Sequence, residues 1–240
     1  MLSAEATRLA VIEVLCPTAA LAGDIPYPTL AGAAVLDSRT VALQDLDPEK
    51  DYTPVIAVHT RSASIERRGQ AADETDNECQ TVIDIIAELA VIANTADDGD
   101  FADAMAADDP DARLVLSALV SQIRFQLEFA QSGTLFRRFI FGVRRIDMET
   151  FGAPELGLRW QRVTIRITAA IPDDQFDVHS GGLPEPLRGF FDLLPDDSYA
   201  KAKLTKLAAH FMPDPRPALQ EVTIRDEPNG EPIASTGDLR

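Results

Sequence analysis

Two runs rich in β-branched and apolar residues, TPVIAVHT at 53–60 and TVIDIIAELAVIA at 81–93, constrain this chain more than any other feature. In the second, Ile83, Ile85, Ala87, Leu89 and Val91 share one face while Asp84 and Glu88 fall on the other. That is the period-2 pattern of a half-buried strand, which needs partner strands beside it and an apolar layer over one face. Between the runs lie nineteen mostly polar residues, 61–79, carrying three arginines and five acids. A hairpin needs only about two to five connecting residues, and loops beyond about 12 to 15 are usually functional or disordered. The spacing therefore predicts a long charged loop between two core strands. We read it as a partner-contacting arm, mobile in the free protein, with Arg61, Glu66, Arg67, Arg68 and Glu74 as its contact residues.

The flanking segments predict the layer that covers this sheet. Ser3 is a candidate N-cap, and Leu9, Ile12, Leu15 and Cys16 recur at helical spacing until Pro17 stops the run. Residues 17–50 read as turns around a short strand in AAVLDSRTVAL. The stretch 97–111 holds seven aspartates and no basic residue, and reads as a solvated lead into a helix capped by Asp109 with Pro110 at its first position. That helix, 110–130, places Val115, Ala118, Leu119, Gln122, Ile123 and Leu127 on adjacent turns. WQRVTIRITA at 160–169 alternates more regularly than any other segment, and RRIDMETF at 144–151 reads as its antiparallel partner through GAPELG. These elements add up to an α+β fold, a single mixed or antiparallel sheet with helices packed on one face, spanning residues 1–172. Nine of the sixteen prolines fall in the last 69 residues, so residues 173–240 read as a small Pro-rich C-terminal annex with one helix in SYAKAKLTKLAAHFM.

Composition narrows the function. A net charge of -17 repels free nucleic acid and anionic membrane, and Glu13 interrupts the only apolar N-terminal stretch, which is neither a signal peptide nor a span. Cys16 and Cys79 lie outside any CxxC arrangement and read as structural thiols. Phosphate-cradling, dinucleotide, zinc-protease and nucleophile-elbow motifs are absent from the sequence, and His59, His179 and His210 are far apart in it. In LFRRFIFGVRRID at 135–147, Arg137, Arg138, Arg144 and Arg145 interleave with Phe136, Phe139 and Phe141. Such a pattern can bind single strands by stacking and phosphate contact, but the acidic whole opposes it. We read the phenylalanines as core and the four arginines as partners for acids on a neighbouring subunit, where a planar guanidinium suits bidentate contact.

The order of TPVIAVHT, TVIDIIAELAVIA, DARLVLSALVSQIRFQL and WQRVTIRITAAIP after a leading helix resembles the tail terminator (tail completion, minor tail protein U-like) family of long-tailed bacteriophages and phage-derived particles. Pro54, Ile56 and Val58 match the family's first strand, and the resemblance extends to residue 172 without reaching the annex. It implies a virion structural protein rather than an enzyme, with no cofactor or metal. It further implies a homo-oligomeric ring of six subunits that ends the tail tube at its head-proximal end. The implied partners are the major tail tube protein and the head-tail connector protein, with a lumen open to passing DNA and no sequence-specific nucleic-acid contact. The protein would be made in the bacterial cytoplasm. A connector or neck protein of the same particle and a hydrolase or metal enzyme with a scattered site are the alternatives.

Overall fold

The computed structural model describes residues 1–67, 77–95, 99–106, 108–153, 158–177, 181–211, 221–225 and 232–237. It has the α+β architecture expected. The strands are β1 (Val35–Asp37), β2 (Thr53–Arg67), β3 (Asn77–Thr95), β4 (Gly99–Ala104), β5 (Gly142–Ala153) and β6 (Leu158–Ile171), in the order β1-β2-β3-β6-β5 with β4 beside β3. Only β1 runs parallel to its neighbour; β2, β3, β6 and β5 alternate antiparallel, so the sheet is mixed. The helices are α1 (Leu2–Leu15), α2 (Thr18–Leu21), α3 (Pro110–Glu128), α4 (Thr134–Phe139), α5 (Leu187–Leu193) and α6 (Tyr199–Ala208). A separate hairpin pairs β7 (Glu221–Arg225) with β8 (Pro232–Gly237).

Register explains the two-faced sheet. Ile56 and Val58 of β2 lie opposite Ala87 and Ile85 of β3, which lie opposite Val163 and Ile165 of β6. All of these face one way, and α1, α3, α4, α5 and α6 cover them in one continuous core. α1 is buried along most of its length because both the sheet and other helices surround it. α3 starts as its sequence predicts, the Asp109 carboxylate accepting the Asp111 N–H with Pro110 in the first turn.

The structure corrects four expectations. The long charged loop is mostly strand: β2 continues to Arg67 and β3 begins at Asn77, pairing through Ser62↔Val82 to Arg67↔Asn77. Residues 61–67 are exposed on both faces, so backbone pairing continues there without the apolar alternation that marks a strand. Of the expected arm, only residues 68–76 lie outside the described residues, Arg68 and Glu74 among them. The acidic stretch after residue 97 contains β4, where Ala102 and Ala104 lie opposite Ile92 and Ala90. Ser3 is inside α1 and does not cap it; Asp174 does so from 171 residues away, accepting the Leu2 and Ser3 N–H groups at 2.7 and 2.8 Å and the Ser3 hydroxyl at 2.5 Å.

The fourth correction concerns the annex. Residues 183–204 do not sit apart from the 1–172 core: Leu183, Leu187, Phe190, Leu194, Ala200 and Leu204 belong to the same buried cluster as α1 and the sheet. Phe190 packs on Phe139 with ring centroids 5.0 Å apart. Tyr199 Oη donates to Asp37 Oδ2 at 2.8 Å, and Asp37 Oδ1 lies 2.6 Å from Arg8 Nη1, so α6, β1 and α1 are tied by one polar chain. A proline-rich composition masks this because the apolar residues sit in two short helices between the turns.

Two outcomes follow from that packing. A chain ending at residue 175 uncovers α1 and the sheet, and each lost apolar side chain contributes about 1.5–3 kcal/mol. It should therefore aggregate and lose cooperative thermal unfolding, whereas a soluble, cooperatively unfolding product would show that the core does not need α5 and α6. Burial, helped by the hydrogen bond to Asp37, pushes the Tyr199 phenol from its ordinary value of 10 up to about 12. The neutral form is the favoured one, so its contribution to stability is whole below pH 10 and is lost as pH rises towards 12. Denaturant midpoints across that window should fall in the wild type and fall less in Tyr199→Phe.

Candidate subunit interface

The seven of the nine expected contact residues that are described separate into three groups. Arg61 is the extra residue where the β2–β3 register shifts between Thr60 and Ser62, and its Nη1 lies 3.1 Å from Asp84 Oδ2. Arg145 pairs with Asp147 two residues on, at 2.7 Å, and Arg144 reaches Glu78 at 4.0 Å. These three hold exposed pairs within the chain, each contributing about 0–1 kcal/mol to stability. The side chains of Glu66, Arg67 and Arg138 are exposed and have no ion-pair partner among the described residues. Glu66 lies opposite Glu78 across the hairpin, and like charges directly opposite destabilise a strand pair.

Arg137 departs from the expectation of an intersubunit contact. Its Nη1 donates to Leu127 O at 2.8 Å, a carbonyl left open where α3 ends, and its Nη2 to Ala130 O at 2.7 Å, which also accepts the Gly133 N–H. The turn from α3 to α4 is so tight that a Cβ on Gly133 would sit 2.1 Å from the Gln126 carbonyl oxygen. Phe136 and Phe139 are core as expected, but Phe141 is 77% exposed at the entry to β5. A period of three to four places 136 and 139 on one face of a short helix; Phe141 follows the helix and takes no part in that face.

The sheet face away from the helices carries a charge ladder that motif reading does not reveal. Glu88 pairs with Arg162, and Asp84 lies 3.0 Å from Arg166, which also reaches Glu149 at 3.5 Å. The Asp84 hydrogen bond pushes the Arg166 guanidinium above its ordinary value. Arg162 also lies over the Phe151 ring, 5.3 Å from its centroid, and that ring packs on Trp160 at 5.4 Å. The legible signal is the equal four-residue spacing: acids at 84 and 88, arginines at 162 and 166, brought opposite by antiparallel pairing. At one end of this face Leu36, Leu46, Val55, Ala57 and Ala90 form a small second core, leaving the ladder open beyond it.

Other candidate chemistry does not converge. His59 is the ladder partner of Asp84, His210 follows α6, and His179 lies outside the described residues. Among the described residues no group of three or more His, Cys, Asp or Glu side chains could hold a metal ion, and no helix is long and apolar enough to cross a membrane. Both thiols are buried; burial, with Asp173 beside it, pushes Cys79 up to about 11, and burial raises Cys16 as well. A shallow depression is lined by Leu30, Glu49, Lys50, Asp51, Tyr52, Pro54 and Val115. No protein-family model matches the chain, and no curated protein matches it.

The neighbouring arginines 137 and 138 should behave differently. Arg137→Ala leaves the Leu127 carbonyl without its donor and Ala130 O with only the Gly133 N–H, and should lower stability by about 1.5–3 kcal/mol, whereas Arg138→Ala should change it by less than about 0.5 kcal/mol. Urea unfolding of the two variants measures this; equal effects would mean that Arg137 is no more structural than its neighbour.

Proposed function

We propose that this protein is a virion structural protein, forming a ring that ends a phage-type tail tube and joins it to the head-tail connector. The observation that carries this reading is the order of elements: a leading helix, a first core strand, a long charged hairpin, the α3 cover and a closing strand pair. That order is the one by which the sequence resembles tail terminators. Support comes also from where the charges sit. Glu66 and Arg67 extend on a hairpin beyond the helical layer, and Arg144 and Arg145 stand on the opposite edge of the sheet at the same end. A protein built to stack between two other rings needs exposed, chemically distinct surfaces of this kind. The C-terminal helices enlarge the helical layer without altering the sheet, and so leave both edges available.

The test is assembly. Static light scattering and electron microscopy of the purified chain, alone and with tail tubes of its own particle, should give ring-sized oligomers at the tube end. Arg67→Glu should weaken that assembly while shifting folding stability by only about 0–1 kcal/mol, because the side chain is exposed. A strict monomer at high concentration and across salt, with no association with tubes, would sink the proposal.

A further inference from the structure

Among the described residues the two edges of the sheet are open. β1 pairs β2 only at Ile56, Ala57 and Val58, so beyond those residues the outer edge of β2 has no partner among the described residues. Among the described residues β5 pairs only β6, so its outer edge has no partner there either. Each edge offers one regular stretch: residues 62–67 on β2, past the register shift, and residues 145–150 on β5, between its two shifts. We infer that copies of this chain join by strand addition, residues 62–66 of one pairing antiparallel with residues 145–149 of the next. The inference rests on the ring reading above for the closure of the assembly.

Direction, hydrogen bonding and charge agree on this contact. Because β2, β3, β6 and β5 alternate in sense, β5 of one copy lies antiparallel to β2 of a neighbour placed beside it with its helices on the same side. Ile56 N donates outward to Ala34 O, and alternation followed from there across the ladders sets which peptide groups face the open edges. On β2 they are those of Ala63, Ile65 and Arg67, the register shift at Arg61 having switched the parity; on β5 they are those of Ile146, Met148 and Thr150.

Side chains then choose the register. With Ile65 opposite Ile146, Ala63 meets Met148 on the helix side and Glu66 meets Arg145 on the open face. Ile65 and Met148 are 45% and 46% exposed in the single chain, and both become covered. Sliding by two residues one way sets Glu66 against Asp147; sliding the other way runs into the irregularity at Arg144. Charges on an exposed edge usually prevent pairing, but charges of opposite sign at the matched position instead select the partner. The contact is heterologous, β2 edge to β5 edge, so each added copy leaves one edge of each kind free until the ring closes.

A disulfide tests the register directly. Opposed residues of this type in an antiparallel pair have Cα atoms roughly 4.5 Å apart, within disulfide reach. Glu66→Cys with Arg145→Cys in one chain should, on mild oxidation of assembled protein, give a ladder of covalent oligomers on denaturing gels. Both positions are exposed and both native thiols are buried, so the single variants and the mismatched Glu66→Cys with Thr150→Cys should give none. In parallel, Glu66→Arg should weaken assembly at least about tenfold, and adding Arg145→Glu should restore it. Assemblies that form without the ladder, and that ignore the charge swap, would overturn strand addition while leaving the ring reading intact. A wild-type chain that never assembles would bring down both.

Discussion

The pairing of β3 with β2 on one side and β6 on the other is the contact on which the rest of this protein depends. It sets which residues of three long strands are covered and which are wet, and a slip of one residue would exchange the two faces. On the covered face Ile83, Ile85, Ala87 and Leu89 are buried almost completely; α1 and α3 pack on β3 directly, and α4, α5 and α6 pack on α1. On the other face the same register brings Glu88 to Arg162 and Asp84 to Arg166. Glu88 is only 5% exposed, so a slipped register would leave its carboxylate buried beside no cation, and that penalises the alternatives as strongly as the apolar match favours this one.

Legibility followed burial. β6 and α3 were plain in the sequence because one side of each is dry and the other wet, which writes a period of two or of 3.6 into the residue order. The β2 half of the hairpin beyond Thr60 was not, since a strand with both faces in water has no reason to alternate. β4 was hidden among aspartates for a different reason: it is held by pairing to β3, its inward residues Ala102 and Ala104 are too small to write a clear alternation, and Asp103 accepts the Ala104 N–H. The cap on α1 shows a different limit. A local reading offers Ser3 because capping oxygens usually come from the chain just before the helix; Asp174 is supplied by the end of β6, and only the fold brings it there. Of the contact residues, exposure was foreseeable for Glu66 and Arg67, while the inward turn of Arg137 depends on where α3 stops.

The C-terminal helices show how composition can mislead about domains. Prolines and glycines around residues 172–186 do punctuate the chain, yet the helices that follow return to the same core, because α1 has an apolar surface that the sheet and α3 leave uncovered. One consequence bears on assembly. With α5 and α6 on the helical face, that face is thick and largely occupied, and the opposite face carries charge, so the sheet's edges are its least protected backbone.

Electrostatics decides how such edges can meet in a chain of net charge -17. Two copies repel at long range, but that repulsion is screened beyond about 8 Å at physiological ionic strength. In the inferred contact, the hydrogen bonds of a strand pair and a carboxylate–guanidinium contact between Glu66 and Arg145 would act well inside that distance. Moderate salt should therefore remove more repulsion than attraction, and only at much higher salt does the ion pair itself weaken. An assembly held mainly by scattered surface charges would instead loosen steadily from low salt upward. If copies join by the inferred strand addition, the surplus of acids would set a threshold: it would keep isolated copies apart in dilute, low-salt solution and leave short-range complementarity at the strand edges to choose the neighbour.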